Sequence, residues 1–193
     1  VGASAATPVN PFRANLNLPD SVVVGVSHQI NDQWQIHGGV EWTNWSKFRR
    51  IPIVSKLNGA PITSLNFVYD DSWFFSGGVE YKMNDQLTLR AGAGYELSAV
   101  NNTNRTVFIS DNDRLWLSTG FSYNLTEKMK LDVGYTYIAV KKASIDYNVN
   151  HPQFRTVNFA AEAKPHINIV SVGLTYRWDD PRVAQASPVV TKY

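Results

Sequence analysis

The chain reads as all-β: an antiparallel transmembrane β-barrel of the outer-membrane type. Three observations predict this. Several stretches of about nine residues carry apolar side chains at every second position and end on aromatic or large aliphatic residues. Strict period two means extended strands, because successive side chains point to opposite faces, and about 9–11 tilted residues suffice for a β-strand to cross a bilayer. Short turns also alternate with long connections along the chain, as periplasmic turns and extracellular loops do in bacterial barrels.

The elements follow in order. Residues 21–30 run down to the turn Asn31-Asp32-Gln33. Residues 34–42 run up, with Trp34, Ile36, Gly38, Val40 and Trp42 on one face and Gln35, His37, Gly39 and Glu41 on the other. After the long connection 45–71, residues 73–81 descend to Met83-Asn84-Asp85-Gln86 and residues 87–95 return. Asn and Asp favour such turns because their side chains bond their own backbone. A second long connection, 97–113, leads to the descending strand 115–123, the turn Thr126-Glu127-Lys128 and the ascending strand 131–139. The third, 141–165, leads to the descending strand 170–178. That makes seven strands. Residues 12–18 alternate too, either extending the first strand past a bend at Pro19 or adding an eighth. Parts of 48–57 and 154–160 are read as continuing strands above the membrane. The expected division is a lead-in over 1–11, barrel wall over 12–178 and a polar tail over 179–193.

Orientation can be checked against the aromatics. Trp34, Tyr81, Tyr123 and Trp178 lie near the short-turn ends, and Trp42, Trp73, Tyr95 and Tyr137 near the long-loop ends. Two aromatic rings at opposite ends form the girdles expected at membrane interfaces. The opposite strand face is Ser, Thr, Gly, Gln and Glu, which suits a wet lumen better than the charged outer face of a soluble sandwich. The last strand presents Val172, Leu174, Tyr176 and Trp178 on one face, a pattern similar to the C-terminal signal that directs barrel insertion.

Composition excludes several alternatives. Absence of cysteine removes a disulfide framework and a thiolate metal site. A net charge of +2 exerts no strong pull on nucleic acid. No apolar run approaches the roughly 18 residues of a transmembrane helix. The start, Val1-Gly2-Ala3-Ser4, has neither a methionine nor the features of a signal peptide, so the chain is expected to be mature or cut from something longer.

Read in order, Asn15-Leu16-Asn17-Leu18-Pro19-Asp20-Ser21, Trp34 through Glu41-Trp42-Thr43-Asn44-Trp45-Ser46, Tyr69-Asp70-Asp71-Ser72-Trp73, Leu89-Arg90-Ala91-Gly92, Asp111-Asn112-Asp113-Arg114-Leu115-Trp116-Leu117-Ser118 and Asp132-Val133-Gly134-Tyr135 resemble the FadL/TodX family of outer-membrane transporters. The resemblance covers about residues 14–178 and the C-terminal half of the family only. It implies a barrel of about 14 strands, of which this chain supplies 7–8, plugged by an N-terminal hatch that lies outside these residues. It also implies passive uptake of long-chain fatty acids or other hydrophobic compounds, and residence in the outer membrane. Seven strands cannot close a barrel of that width, and lipid does not tolerate unpaired strand edges. The expected reading is therefore one part of a larger wall, with a narrow eight-stranded closure as the other possibility.

Inward-facing polar groups are His37, Glu41, Glu80, Arg90, Glu96, Asp132 and Arg177. An amphipathic ligand wants apolar walls and one cation for its carboxylate; Arg90 is the candidate cation and the inward Phe74, Trp116 and Ile138 the candidate apolar wall, with Glu41 and Glu96 as further lumen-facing ligand candidates. The competing reading makes these charges internal Arg–Glu pairs that keep the lumen satisfied. Lys47, Arg49 and Arg50, and separately Lys141 and Lys142, cluster above the outer aromatic ring, where they would meet lipopolysaccharide phosphates or attract carboxylates, or else form an ordinary solvated rim. The apolar loop residues Ile51, Ile53, Val54, Ile62, Leu65, Phe67, Val107, Phe108 and Ile109 would form a capture groove or pack loop on loop.

Asp111-Asn112-Asp113-Arg114 is too short for a calcium loop and lacks its glycine and distal Glu. The histidines at 28, 37, 151 and 166 show no ligand spacing, and Gly92-Ala93-Gly94 sits within a strand rather than opening a helix. No cofactor, metal or catalytic activity is expected. The functional expectation is transport, with outer-membrane lipid, lipopolysaccharide and a hydrophobic small molecule as partners. A small barrel with a structural or adhesive role is the alternative in another class, and an acyl hydrolase the third.

Overall fold

The computed structural model describes residues 11–178 apart from 104, 152, 153 and 155. Nearly all of the expected lead-in and the whole polar tail lie outside the described residues. Among the described residues there are twelve strands: β1 (Phe12–Ala14), β2 (Ser21–Gln29), β3 (Trp34–Thr43), β4 (Arg50–Ser55), β5 (Pro61–Asn66), β6 (Ser72–Lys82), β7 (Leu87–Leu97), β8 (Arg114–Thr126), β9 (Met129–Val140), β10 (Ala143–Tyr147), β11 (Phe159–Ala163) and β12 (His166–Tyr176). A 3-10 turn, Trp45–Lys47, follows β3.

The wall is one seven-stranded antiparallel sheet in the order β12-β9-β8-β7-β6-β3-β2. These are the seven strands that the period-two stripes predict, in a simple up-and-down meander. Cross-strand pairs keep the faces in phase. Trp34 lies opposite Tyr81, Val40 opposite Phe75 and Trp42 opposite Trp73 on the apolar face. Gln35 opposite Glu80, and Glu80 opposite Arg90, occupy the other. A one-residue slip would put every apolar stripe in the lumen. Most aliphatic side chains of the apolar face are exposed, as lipid contact requires.

Two of the three short turns repeat one device. In the first, the Asn31 carboxamide oxygen accepts the backbone N–H groups of Gln33 and Trp34, both at 2.9 Å. In the second, Asn84 takes those of Gln86 and Leu87 at 2.9 and 2.8 Å. Trp34 and Tyr81 meet beside these turns, ring centroids 4.5 Å apart. At the opposite end Trp42 and Trp73 lie 6.5 Å apart. One cross-strand aromatic pair thus stands at each end of the wall.

Two of the three long connections are hairpins that rise above the wall. β4 and β5 pair with each other, and β10 pairs with β11 as a continuation of β9 and β12. The structure differs from expectation at residues 12–18. β1 neither extends β2 nor adds an eighth wall strand. It pairs with β4, Phe12 facing Ser55 and Ala14 facing Ile53. Leu18-Pro19 ends the extension, since Pro removes a backbone donor that the ladder needs. The narrow eight-stranded closure is thereby set aside: the sheet is open, with β12 at one margin and β2 at the other.

Candidate functional site

The lumen face falls into three zones. Near the loop end, two rows of side chains, offset by two residues between β7 and β8, cross the wall: Glu41 opposite Phe74 and Phe74 opposite Glu96, then Trp116 opposite Ile138 and Ile138 opposite Ile167. Phe74 and Trp116 meet edge to face, centroids 5.7 Å apart at 69°, a favoured aromatic geometry. The contact spans β7 because Gly94, which faces Trp116 from that strand, carries no side chain. Ile138 beneath is 2% exposed. These residues form an apolar shelf. Glu96 borders it, its Oε2 accepting the Trp116 indole N–H at 3.0 Å and, more distantly, Arg114 at 3.5 Å. Glu41 borders the other side, and the Thr43 hydroxyl donates to it at 3.5 Å.

The middle zone is made of small groups. Ser76, Gly78, Gly92, Ser118, Gly134 and Ser171 face the lumen in neighbouring strands. Their size leaves a hollow of about 820 Å³ between the zones, lined also by His37, Phe74, Arg90, Trp116 and Asp132.

Near the short turns a polar ladder crosses four strands. Arg90 donates through Nε to Glu80 at 2.6 Å and through a terminal nitrogen to the Ser122 hydroxyl at 2.5 Å. Ser122 donates in turn to Asp132, which Lys130 pairs at 3.3 Å. Ser122 was not among the candidates read from sequence. Its role arises only from register, which sets it opposite Asp132 and diagonal to Arg90. Ile167 was missed as well, because the predicted strand began three residues later; its alternation with Ile169 and Ser171 was the available signal.

The basic rim is largely engaged. Lys47 pairs with Asp20, Lys141 with Asp113 at 3.7 Å, and Lys142 with Glu162 at 2.5 Å. Arg49 donates to the Ser46 carbonyl at 3.3 Å. Arg50 is exposed on β4. The two groups sit on different loops.

The loops are fastened to the wall by carboxylates. Asp71 accepts the Trp42 indole N–H at 3.1 Å and the Ser46 backbone N–H at 3.0 Å. The Ser46 bond, the first of several hydrogen bonds there, holds Asp71 below the ordinary aspartate range. Asp111 takes Arg114 at 2.7 Å and the Ser98 hydroxyl at 2.8 Å. Arg105, only 2% exposed, donates to the carbonyls of Asp111 and Ser144 at 2.8 and 3.1 Å, joining the middle loop to β10. Burial lowers its pKa, and the nearby Asp111 and Asp113 oppose that shift. Trp45, Phe48 and Tyr69 pack ring on ring above the wall. Among the described residues no group of His, Asp or Glu is arranged to hold a metal ion.

A meander of membrane-length strands, apolar outside, polar inside and ringed by aromatics at both ends, defines the wall of an outer-membrane β-barrel. The chain belongs to the outer membrane protein transport protein family (OMPP1/FadL/TodX), whose model matches residues 2–180. It is 30% identical over 131 residues to the long-chain fatty acid transport protein of Escherichia coli, a match covering 68% of this chain and 29% of that protein. Among solved structures, a Pseudomonas aeruginosa FadL homologue superposes with a TM-score of 0.70 at 26% identity, over 86% of this chain and 37% of that one. The toluene transporter TodX of P. putida superposes at 0.59 with 19% identity, over 88% and 37%, a likeness of fold. The chain spans about a third of the length of the relatives it matches.

Proposed function

We propose that this chain is part of the wall of a barrel that lets long-chain fatty acids or other hydrophobic compounds pass the outer membrane passively. The apolar shelf of Phe74, Trp116 and Ile138 inside an otherwise polar lumen supports the reading. A purely aqueous pore has no use for rings and aliphatic carbons on its inner face, whereas a greasy solute gains by shedding water against them. Family membership and the name of the E. coli relative point the same way.

Glu41 and Glu96 mark the polar border of the shelf, and Arg90 lies at the opposite edge of the hollow. The guanidinium is held by Glu80 but keeps a side-chain exposure of 45%. In this reading it meets a passing carboxylate transiently and does not trap it, because its charge is already balanced. The rim residues Lys47, Arg49, Arg50, Lys141 and Lys142 contact lipopolysaccharide phosphates, with Arg50 the most available to do so.

The test is uptake of a labelled long-chain fatty acid and of toluene by cells that carry the full-length protein or a null. Faster uptake of either compound with the protein supports transport, and the ratio assigns the substrate class. Equal uptake of both compounds in the two strains would remove the transport reading.

A further inference from the structure

Loop and lumen share one oxygen atom. Glu96 Oε2 accepts the Trp116 indole N–H at 3.0 Å and stands 3.5 Å from the Arg114 guanidinium. Arg114 is drawn the other way by Asp111, whose Oδ1 receives its Nε at 3.0 Å and a terminal nitrogen at 2.7 Å. Asp111 belongs to the middle loop and is anchored there: Ser98 donates to its carboxylate at 2.8 Å, and the buried Arg105 holds its backbone carbonyl at 2.8 Å. Arg114 therefore makes two good bonds to the loop and one long one to the wall. Glu96 is left to Trp116. A planar indole pinned at its N–H and in edge-to-face contact with Phe74 has one orientation across the hollow.

We propose that Glu96 is a positioning residue that holds Trp116 in its edge-to-face contact with Phe74, and that Asp111 governs this hold by keeping Arg114 away from Glu96. The orientation of Trp116 then sets which hydrophobic molecules pass. Held against Phe74, the ring leaves room for a long flexible chain. Released, it tilts into the hollow and obstructs a long chain more than a compact aromatic. This selectivity rests on the transport reading; the hold on Trp116 does not.

The experiment uses the full-length barrel in proteoliposomes, with insertion checked by the heat-dependent gel shift of folded barrels. Uptake of a long-chain fatty acid and of toluene is measured side by side, with acrylamide quenching of tryptophan fluorescence as a separate readout. Trp116→Phe, Glu96→Ala and Asp111→Asn should each lower the fatty-acid to toluene ratio by about five-fold, the shift that loss of one ordinary hydrogen bond produces. The Trp116→Phe/Glu96→Ala double variant should go no further than either single one. Glu96→Gln, which keeps an acceptor oxygen, should retain the parent ratio. Quenching should rise in Glu96→Ala and in Asp111→Asn. An unchanged ratio in a folded, transporting Glu96→Ala, or additive effects in the double variant, would overturn the proposal. If the parent carries neither compound, the transport reading fails by itself. Quenching then decides the hold on Trp116, which falls if Glu96→Ala leaves it unchanged.

Discussion

Phe74 closes over Gly94. A methyl group built on Gly94 would lie 2.6 Å from Phe74 Cζ and 3.2 Å from the Phe75 carbonyl oxygen. That vacancy lets the Phe74 ring lean across β7 to reach Trp116. Gly94→Ala should therefore push Phe74 off Trp116 and destabilise the wall by about 1–3 kcal/mol, the usual cost of overpacking. Gly120→Ala should cost more, because its methyl would meet the Val133 carbonyl oxygen at 2.6 Å, and sheet backbone yields less than a ring. Urea titrations of the barrel in lipid vesicles check the order, and near-UV circular dichroism checks the loss of the Phe74–Trp116 contact. A smaller loss for Gly120→Ala than for Gly94→Ala would refute the argument.

The two faces of β3 should respond oppositely to charge. Val40→Arg places a guanidinium against lipid and should cost about 2–4 kcal/mol. His37→Arg, facing the hollow, should fold almost as well as the parent. Refolding yields in vesicles measure both. Equal penalties would mean that the faces are wrongly assigned.

The Glu80–Arg90 pair should contribute little to stability. Its side chains are 30% and 45% exposed, so solvent screens the attraction, and exposed pairs contribute roughly 0–1 kcal/mol. A double-mutant cycle with Glu80→Gln and Arg90→Gln should give a coupling in that range that shrinks with added salt. A coupling of several kcal/mol would show a much drier lumen than the open face suggests.

Asp71 should make the first long loop acid-sensitive. Its folded pKa is lowered, chiefly by the Ser46 N–H bond. A depressed carboxylate stabilises the fold fully above its unfolded pKa and loses that contribution as pH falls through the folded one. Trp42 and Ser46 should therefore stay fastened at neutral pH and loosen below the ordinary aspartate range. Protease cleavage within residues 45–71, followed against pH, reads this directly. Asp71→Asn should abolish that acid dependence, and a loop equally resistant at all pH values would contradict it.

How much of this was readable from the residues differs by element. The stripe at 34–42 became β3 with one residue added, and 87–95 became β7 with two, because a lipid-facing strand must write its burial pattern into its own sequence. The turns at Asn31 and Asn84 were legible for the same reason: donor and acceptor lie within three residues. Residues 12–14 were not. They alternate like a wall strand, yet their partner is β4, about forty residues on, and alternation names no partner. The shelf was half legible. Phe74, Trp116 and Ile138 were picked out as inward and apolar, but their meeting through Gly94 depends on the register of three strands. Arg90 was recognised as a lumen cation in reach of carboxylates, whereas Ser122 as the link to Asp132 had no local signal.

By itself the sequence determined the wall strands and their two faces, because the bilayer imposes a period and a length that each strand must satisfy alone. Only the tertiary structure decided which loop strands pair, that most rim cations are engaged, and that Trp116, Glu96, Arg114 and Asp111 form one connected chain. Those contacts join residues up to some forty positions apart, and their geometry follows from register and loop packing, which no single stretch of sequence contains.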